Sequence, residues 1–132
     1  MDKAQIAAIF SGLESGKPED FFKYVADDVE WTVMGTHPLA GTYHSKTEFQ
    51  EATMKRLSSL MKGDKLALHT EQIWLDDDTA IVELSAHAVS KKGTAFNNHY
   101  CWVCRFELNQ IVVVRAYLDS TLVKQVIEES TR

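Results

Sequence analysis

The chain predicts an α+β fold, a curved, mostly antiparallel sheet with helices packed on one side. Two observations predict it. Up to Gly63 the apolar residues recur mainly at helical spacing, whereas after Gly63 they alternate. The alternating part is cut by Asp76-Asp77-Asp78, Lys91-Lys92-Gly93 and Asn109-Gln110 into strands at hairpin spacing. Helices first and a long meander afterwards is the pattern of segregated α and β elements.

Taken in order, Asp2 and Gln5 form a capping-box pattern, and Ile6, Ile9, Phe10 and Leu13 make the apolar stripe of a first helix that Gly16 ends. Pro18 suits the first turn of a second helix, with Phe21, Phe22 and Val25 as its apolar side. Val29–Met34 reads as a strand, and "HPLAGTY" as a loop with a short strand at its end. Ser45 and Glu48 open a third helix with Phe49, Ala52, Thr53, Leu57 and Leu60 on its buried face, stopping near Gly63. Four strands are expected at about Lys65–Leu75, Thr79–Ser90, Ala95–Leu108 and Ile111–Asp119, and a last helix from Ser120 to about Glu128.

The 132 residues suffice for one domain with a real core; 45% are hydrophobic and 25% charged. A formal net charge of −5 and the lack of any Lys/Arg run speak against a nucleic-acid surface. No apolar stretch approaches a membrane span, and "MDKAQIAAIF" is too short an apolar run for a signal peptide, so the expectation is no membrane and a cytoplasmic protein with reduced thiols.

Cys101 and Cys104 have the CxxC spacing of a redox pair, but Tyr100, Trp102, Val103 and Phe106 favour a strand. Residues three apart on a strand point to opposite faces, so no disulfide is expected between them. No second ligand pair has suitable spacing for zinc, and the expectation is no metal.

The segments "ADDVEWTVMG", "HPLAGTY", "SKTEF" and "YCWVCRFELNQIVVVRAYLDS" resemble the running pattern of SnoaL-like proteins, in the nuclear transport factor 2-like superfamily with ketosteroid isomerase and limonene epoxide hydrolase. The resemblance implies a cystatin-like, cone-shaped α+β barrel with N-terminal helices on the concave side of the sheet. It implies an apolar pocket for a small-molecule ligand, no cofactor, and a homodimer through the outer sheet face. Carried over by position, the pocket face would hold Trp31 and Val33, then Leu66, Leu68, Thr70 and Gln72, then Glu83, Ser85 and His87, then Asn98, Tyr100 and Trp102, and finally Val114, Ala116 and Leu118. The catalytic acids known in the superfamily are missing: their positions match Val33 or Thr32, Trp102 and Ala116. The Arg and Asp of the epoxide hydrolases fall near Ser85 and His87.

Within that frame His87 is the best base, because an imidazole titrates near neutral pH. Glu83, roughly 13 Å along the strand from His87, is a second acid or base candidate if buried. Asn98, Tyr100, Trp102 and Trp31 would orient a planar, partly polar ligand. Asp119 is expected to cap the last helix. Arg115 is a partner for a carboxylate near the dimer surface, His37 and His44 lie in the loop over the pocket mouth, and Asp76–Asp78 is a solvated turn. The expected function is binding of a small, largely apolar molecule with proton-transfer chemistry of isomerase, cyclase, lyase or hydratase type. The alternative is a non-catalytic ligand-binding or dimerisation module, and a broad-substrate detoxifying enzyme is a weaker third.

Overall fold

The computed structural model describes residues 1–132. Helix α1, Lys3–Glu14, is capped by Asp2, whose carboxylate accepts from the Gln5 N–H while the Gln5 side chain accepts from the Asp2 N–H. Gly16 follows the C-cap Ser15 at φ 79°, the left-handed conformation that ends helices. The short α2, Glu19–Phe22, turns the chain back and buries Phe21 and Phe22. Its approach to α1 is close because position 12 lacks a side chain: a Cβ on Gly12 would lie 2.6 Å from the Phe21 nitrogen.

The strands are β1 (Val25–Val33), β2 (Gly41–Tyr43), β3 (His69–Asp76), β4 (Thr79–Ser85), β5 (Ala88–Val89), β6 (Ala95–Phe96), β7 (His99–Glu107) and β8 (Gln110–Leu118). Six of them form one curved, unclosed sheet in the order β2-β1-β8-β7-β4-β3, in which only β1 and β8 run parallel. The ribbon β5–β6 stands apart. Helix α3 (Lys46–Phe49), a π-turn (Gln50–Met54) and α4 (Lys55–Leu60) run on continuously, and α5 (Ser120–Ser130) closes the fold. Asp119 caps α5 by accepting from the Leu122 N–H. None of these helices is long and apolar enough to cross a membrane.

The concave face carries Trp31 and Val33, Val82 and Leu84, Tyr100, Trp102 and Cys104, and Val114 and Ala116. Helical aromatics cover it: Phe10 and Phe21 lie 6.0 and 6.2 Å from the Trp102 ring, and Phe49 stacks on Trp31 at 3.9 Å. Such pairs contribute roughly 0.5–1.5 kcal/mol each beyond the burial of their area. One apolar cluster joins all these elements.

Several boundaries differ from expectation. The first strand begins at Val25, so Val25 packs from the sheet rather than from the second helix. The third begins at His69, not Lys65, although Leu66 and Leu68 are buried. The third helix, expected to be regular, contains the π-turn, with the Lys55 N–H donating to the Gln50 carbonyl. The expected strands Thr79–Ser90 and Ala95–Leu108 are each broken, at Ala86-His87 and Asn97-Asn98. Asn98 is the cause on one side. Its carboxamide oxygen takes the N–H groups of His99 and Asp119, and its nitrogen donates to the Asp119 carbonyl. That ties the end of β8 into the break.

Candidate functional site

Between the concave face and the helix that runs through the π-turn lies a small cavity of about 30 Å³. The sheet supplies Val33, Tyr100, Trp102, Ala116 and Leu118; the helix supplies Phe49, Thr53, Met54 and Leu57; the loop after β1 supplies His37 and Leu39. The space holds one or two waters. Its wall is almost wholly apolar.

Its polar groups are few and differ in state. The Thr53 hydroxyl donates to the Phe49 carbonyl. His37 is buried, and both ring nitrogens are engaged: the Leu39 N–H donates to Nδ1, which leaves Nε2–H to donate to the Met34 carbonyl. Those partners fix one neutral tautomer. Tyr100 is the exception. Its hydroxyl is buried and has no hydrogen-bond partner, and burial pushes its pKa well above the ordinary tyrosine value. It is therefore a neutral donor held against the cavity with nothing to donate to. The buried Trp31 Nε1 is also unpaired, but Trp31 sits behind Phe49 in the aromatic stack and does not line the cavity.

The expected pocket residues divide accordingly. Val33, Tyr100, Trp102, Ala116 and Leu118 come together around the cavity. Asn98 is fully buried, but its carboxamide is bonded to backbone. Three residues expected on the pocket face lie on the convex face. In β4 the apolar set Ala80, Val82 and Leu84 turns inward, so Glu83 is exposed and Ser85 points to the outer side, donating to Glu71 at 2.5 Å. In β3 a bulge at Glu71 shifts the pairing between Thr70 and Gln72, which turns Gln72 out opposite Glu83. His87 is exposed in the break after β4. Glu83 and His87 share a groove of about 420 Å³ with Glu71, Ser85 and His99, and Leu84 and Tyr100 line it as well. The His69 and His87 rings lie 6.3 Å apart, yet no group of three or more His, Cys, Asp or Glu side chains is arranged to hold a metal ion.

His44 is exposed. Arg115 is exposed and makes no ion pair; the β7 arginine, Arg105, pairs with Glu107 instead. Cys101 and Cys104 are free thiols on opposite faces, half-buried and buried. Met54 was the residue that spacing missed. A 3.6-residue wheel through Phe49, Thr53 and Leu57 leaves it off the buried face, whereas the π-turn brings it to the cavity wall.

Comparison with known proteins bears on this geometry. The SnoaL-like domain family matches residues 6–114. The dimerizing cyclase phiC of a fungal species (strain ATCC 74256) is 31% identical over 121 residues, 87% of this chain and 52% of that protein. The dimerizing cyclase tstC of Talaromyces stipitatus is 28% identical over 110 residues, 77% of this chain and 47% of that protein. The chain thus spans about half the length of the curated relatives it matches. Among solved structures, an NTF2-like protein of Burkholderia thailandensis superposes with a TM-score of 0.80 at 24% identity, covering 94% of this chain and 95% of that one. TerC, co-crystallized with polyporic acid, superposes at 0.76 with 19% identity, covering 95% of this chain and 96% of that one.

Proposed function

Because the chain belongs to the SnoaL-like domain family, we propose that it binds a small, largely apolar molecule in the cavity beneath Tyr100 and performs cyclase- or isomerase-type chemistry on it. The observation that carries this reading is the buried, unpartnered Tyr100 hydroxyl in an apolar wall. An unsatisfied buried hydroxyl costs about 1–3 kcal/mol, and a ligand oxygen placed there recovers that cost. The two relatives named as dimerizing cyclases favour the same class of chemistry.

The residues assign the roles. Tyr100 stays protonated and donates to a carbonyl-type oxygen, and the bond strengthens as that oxygen gains negative charge. Trp102 and Phe49 offer flat apolar area to a planar body. Val33, Ala116 and Leu118 close the floor. Glu83 and His87 do not line this cavity; they line the adjoining groove, which Tyr100 also borders. The cavity is small, so a ligand must displace side chains; Met54, unbranched and half-buried beside the π-turn, is the most adaptable of them.

A matched pair of probes tests the reading: 2-acetylnaphthalene, which carries a carbonyl, and 2-ethylnaphthalene, which does not. The ketone is expected to raise the melting temperature more and to quench tryptophan fluorescence at lower concentration. Tyr100→Phe should remove that preference, a loss of about tenfold in affinity for one hydrogen bond. No binding of either probe or any larger planar ketone defeats the proposal.

A non-catalytic module is the second reading. It is favoured by the absence of any carboxylate on the cavity wall and by the full engagement of His37. Exchange of the methyl protons of 2-acetylnaphthalene in D2O separates the two. Faster exchange with the wild type than with Tyr100→Phe supports proton-transfer chemistry; binding without faster exchange supports the module.

For the partner, the reading is a homodimer through the convex face. That face leaves Trp74 45% and Tyr117 44% exposed around half-buried Ile81, Cys101 and Val103. Sedimentation should give twice the chain mass, and Val103→Glu should shift it to the monomer.

A further inference from the structure

A second cleft lies on the outer side of the same helix, with a volume of about 360 Å³, between the end of α1, α2 and the face of the π-turn and α4. Its apolar part is Leu13, Phe22, Met54 and Leu66. Met54 is the one side chain that lines both this cleft and the inner cavity. It stands between an apolar cavity of about 30 Å³ and a cleft more than ten times larger.

The charges of the outer cleft are not balanced. Lys55 is paired with Glu51 at 2.5 Å. Asp64, the carboxylate on the cleft wall, is paired with Lys91. Lys65 has no carboxylate within ion-pairing distance, and its ammonium donates to no carbonyl. Its side chain lies directly over Gly16, where an added Cβ would stand 2.5 Å from the lysine Cε. A side chain at 16 would make the flexible end of the lysine shift, and it would also have to adopt φ 79°.

From these observations we infer that the cavity and the cleft are two compartments of one site, and that its ligand is an amphiphilic anion. The apolar, oxygen-bearing part lies behind Met54 against Tyr100, and a carboxylate-type group lies outside it at Lys65. This inference rests on the proposed ligand site and adds to it the substrate's charge, its orientation and its route of access. The neutral cavity alone implies none of these. An ion pair at an exposed lysine contributes about 0.2–1 kcal/mol, which sets the size of the effect.

The probes are 5-benzoylvaleric acid, an aromatic ketone with a carboxylate at the end of a short chain, and its methyl ester. In titrations followed by tryptophan fluorescence at low salt, the acid should bind the wild type about threefold to fivefold tighter than the ester. Added NaCl should erode that advantage. Lys65→Met, which keeps the aliphatic stem at an exposed position, should abolish the difference and leave the ester unchanged. Met54→Ala should speed association of both probes. Equal binding of acid and ester by the wild type, or an advantage that survives in Lys65→Met, overturns the anionic assignment while leaving the pocket intact. An association rate indifferent to Met54→Ala overturns the joining of the compartments. If neither probe binds, the ligand site itself fails and this inference with it.

Discussion

Tyr100 is held in the native state at a cost that a structural residue need not carry. Removing its hydroxyl should therefore help the unliganded fold while harming binding. Tyr100→Phe is expected to be more stable than wild type by about 1 kcal/mol at neutral pH, read from urea midpoints at unchanged slope. A loss of stability would mean that the hydroxyl has a native partner. The sign of the pH effect follows from burial. Tyr100 in the fold ionises above the ordinary 10.0, and Cys104 above the ordinary 9.0, both because burial disfavours the charged form. Their contribution is complete below those ordinary values and is lost as pH rises above them, because the unfolded chain then releases protons that the fold retains. Stability should fall between pH 9 and pH 11, and Tyr100→Phe should flatten the upper part of that fall. A different residue-scale strain sits in the β7–β8 turn. Leu108 and Asn109 have φ of 49° and 63°, and Leu108 is fully exposed. Two-residue hairpins of this kind want Asn or Gly at both positions. Leu108→Asn should stabilise the protein by about 1 kcal/mol, measured by the same melts.

At the scale of elements, the breaks in the two long strands matter more than the strands. Asn98 bonds to His99 on its own strand and to both backbone groups of Asp119, the cap of α5. Asn98→Ala would leave the buried end of β8 and the start of the helix without partners. A cost of about 2–3 kcal/mol is expected, with amide exchange at His99 and Asp119 rising before global unfolding; protection unchanged at both would remove Asn98 from this role. The same region shows what could be read in advance and what could not. Capping by Asp2, Ser45 and Asp119 was legible because the signal is local: one oxygen and an N–H three residues on. The inward face of β7 was legible too, since Tyr100, Trp102, Cys104 and Phe106 alternate cleanly. Glu83 was not placed correctly, although the alternation Ala80-Val82-Leu84 carried the right answer: the apolar set must meet the helices, which forces the charged set outward. Gln72 was misplaced for a less accessible reason. The bulge at Glu71 reverses the phase of the strand, and its trace in the sequence is the odd step from Leu66 and Leu68 to Ile73 and Leu75. The π-turn that delivers Met54 is likewise invisible to a 3.6-residue period.

For the whole molecule, the segregation of helices from sheet was readable from the change of period at Gly63, and the family likeness supplied the curvature. The site was readable only in part. Its sheet wall came through, while the loop and π-turn residues that complete it depend on long-range packing. The resulting candidate site brings one unpartnered donor, Tyr100, to an apolar cavity beside the fully engaged His37, and leaves Glu83, His87 and His99 in the neighbouring groove that Tyr100 also lines. On the proposed reading this hydroxyl meets an oxygen of the ligand. The infrared carbonyl stretch of bound 2-acetylnaphthalene, labelled with carbon-13 at the carbonyl, tests it most directly. The stretch should be lowered from its value in an apolar solvent when the ketone is bound to wild type, and returned towards that value when bound to Tyr100→Phe. The same stretch in both proteins would contradict it.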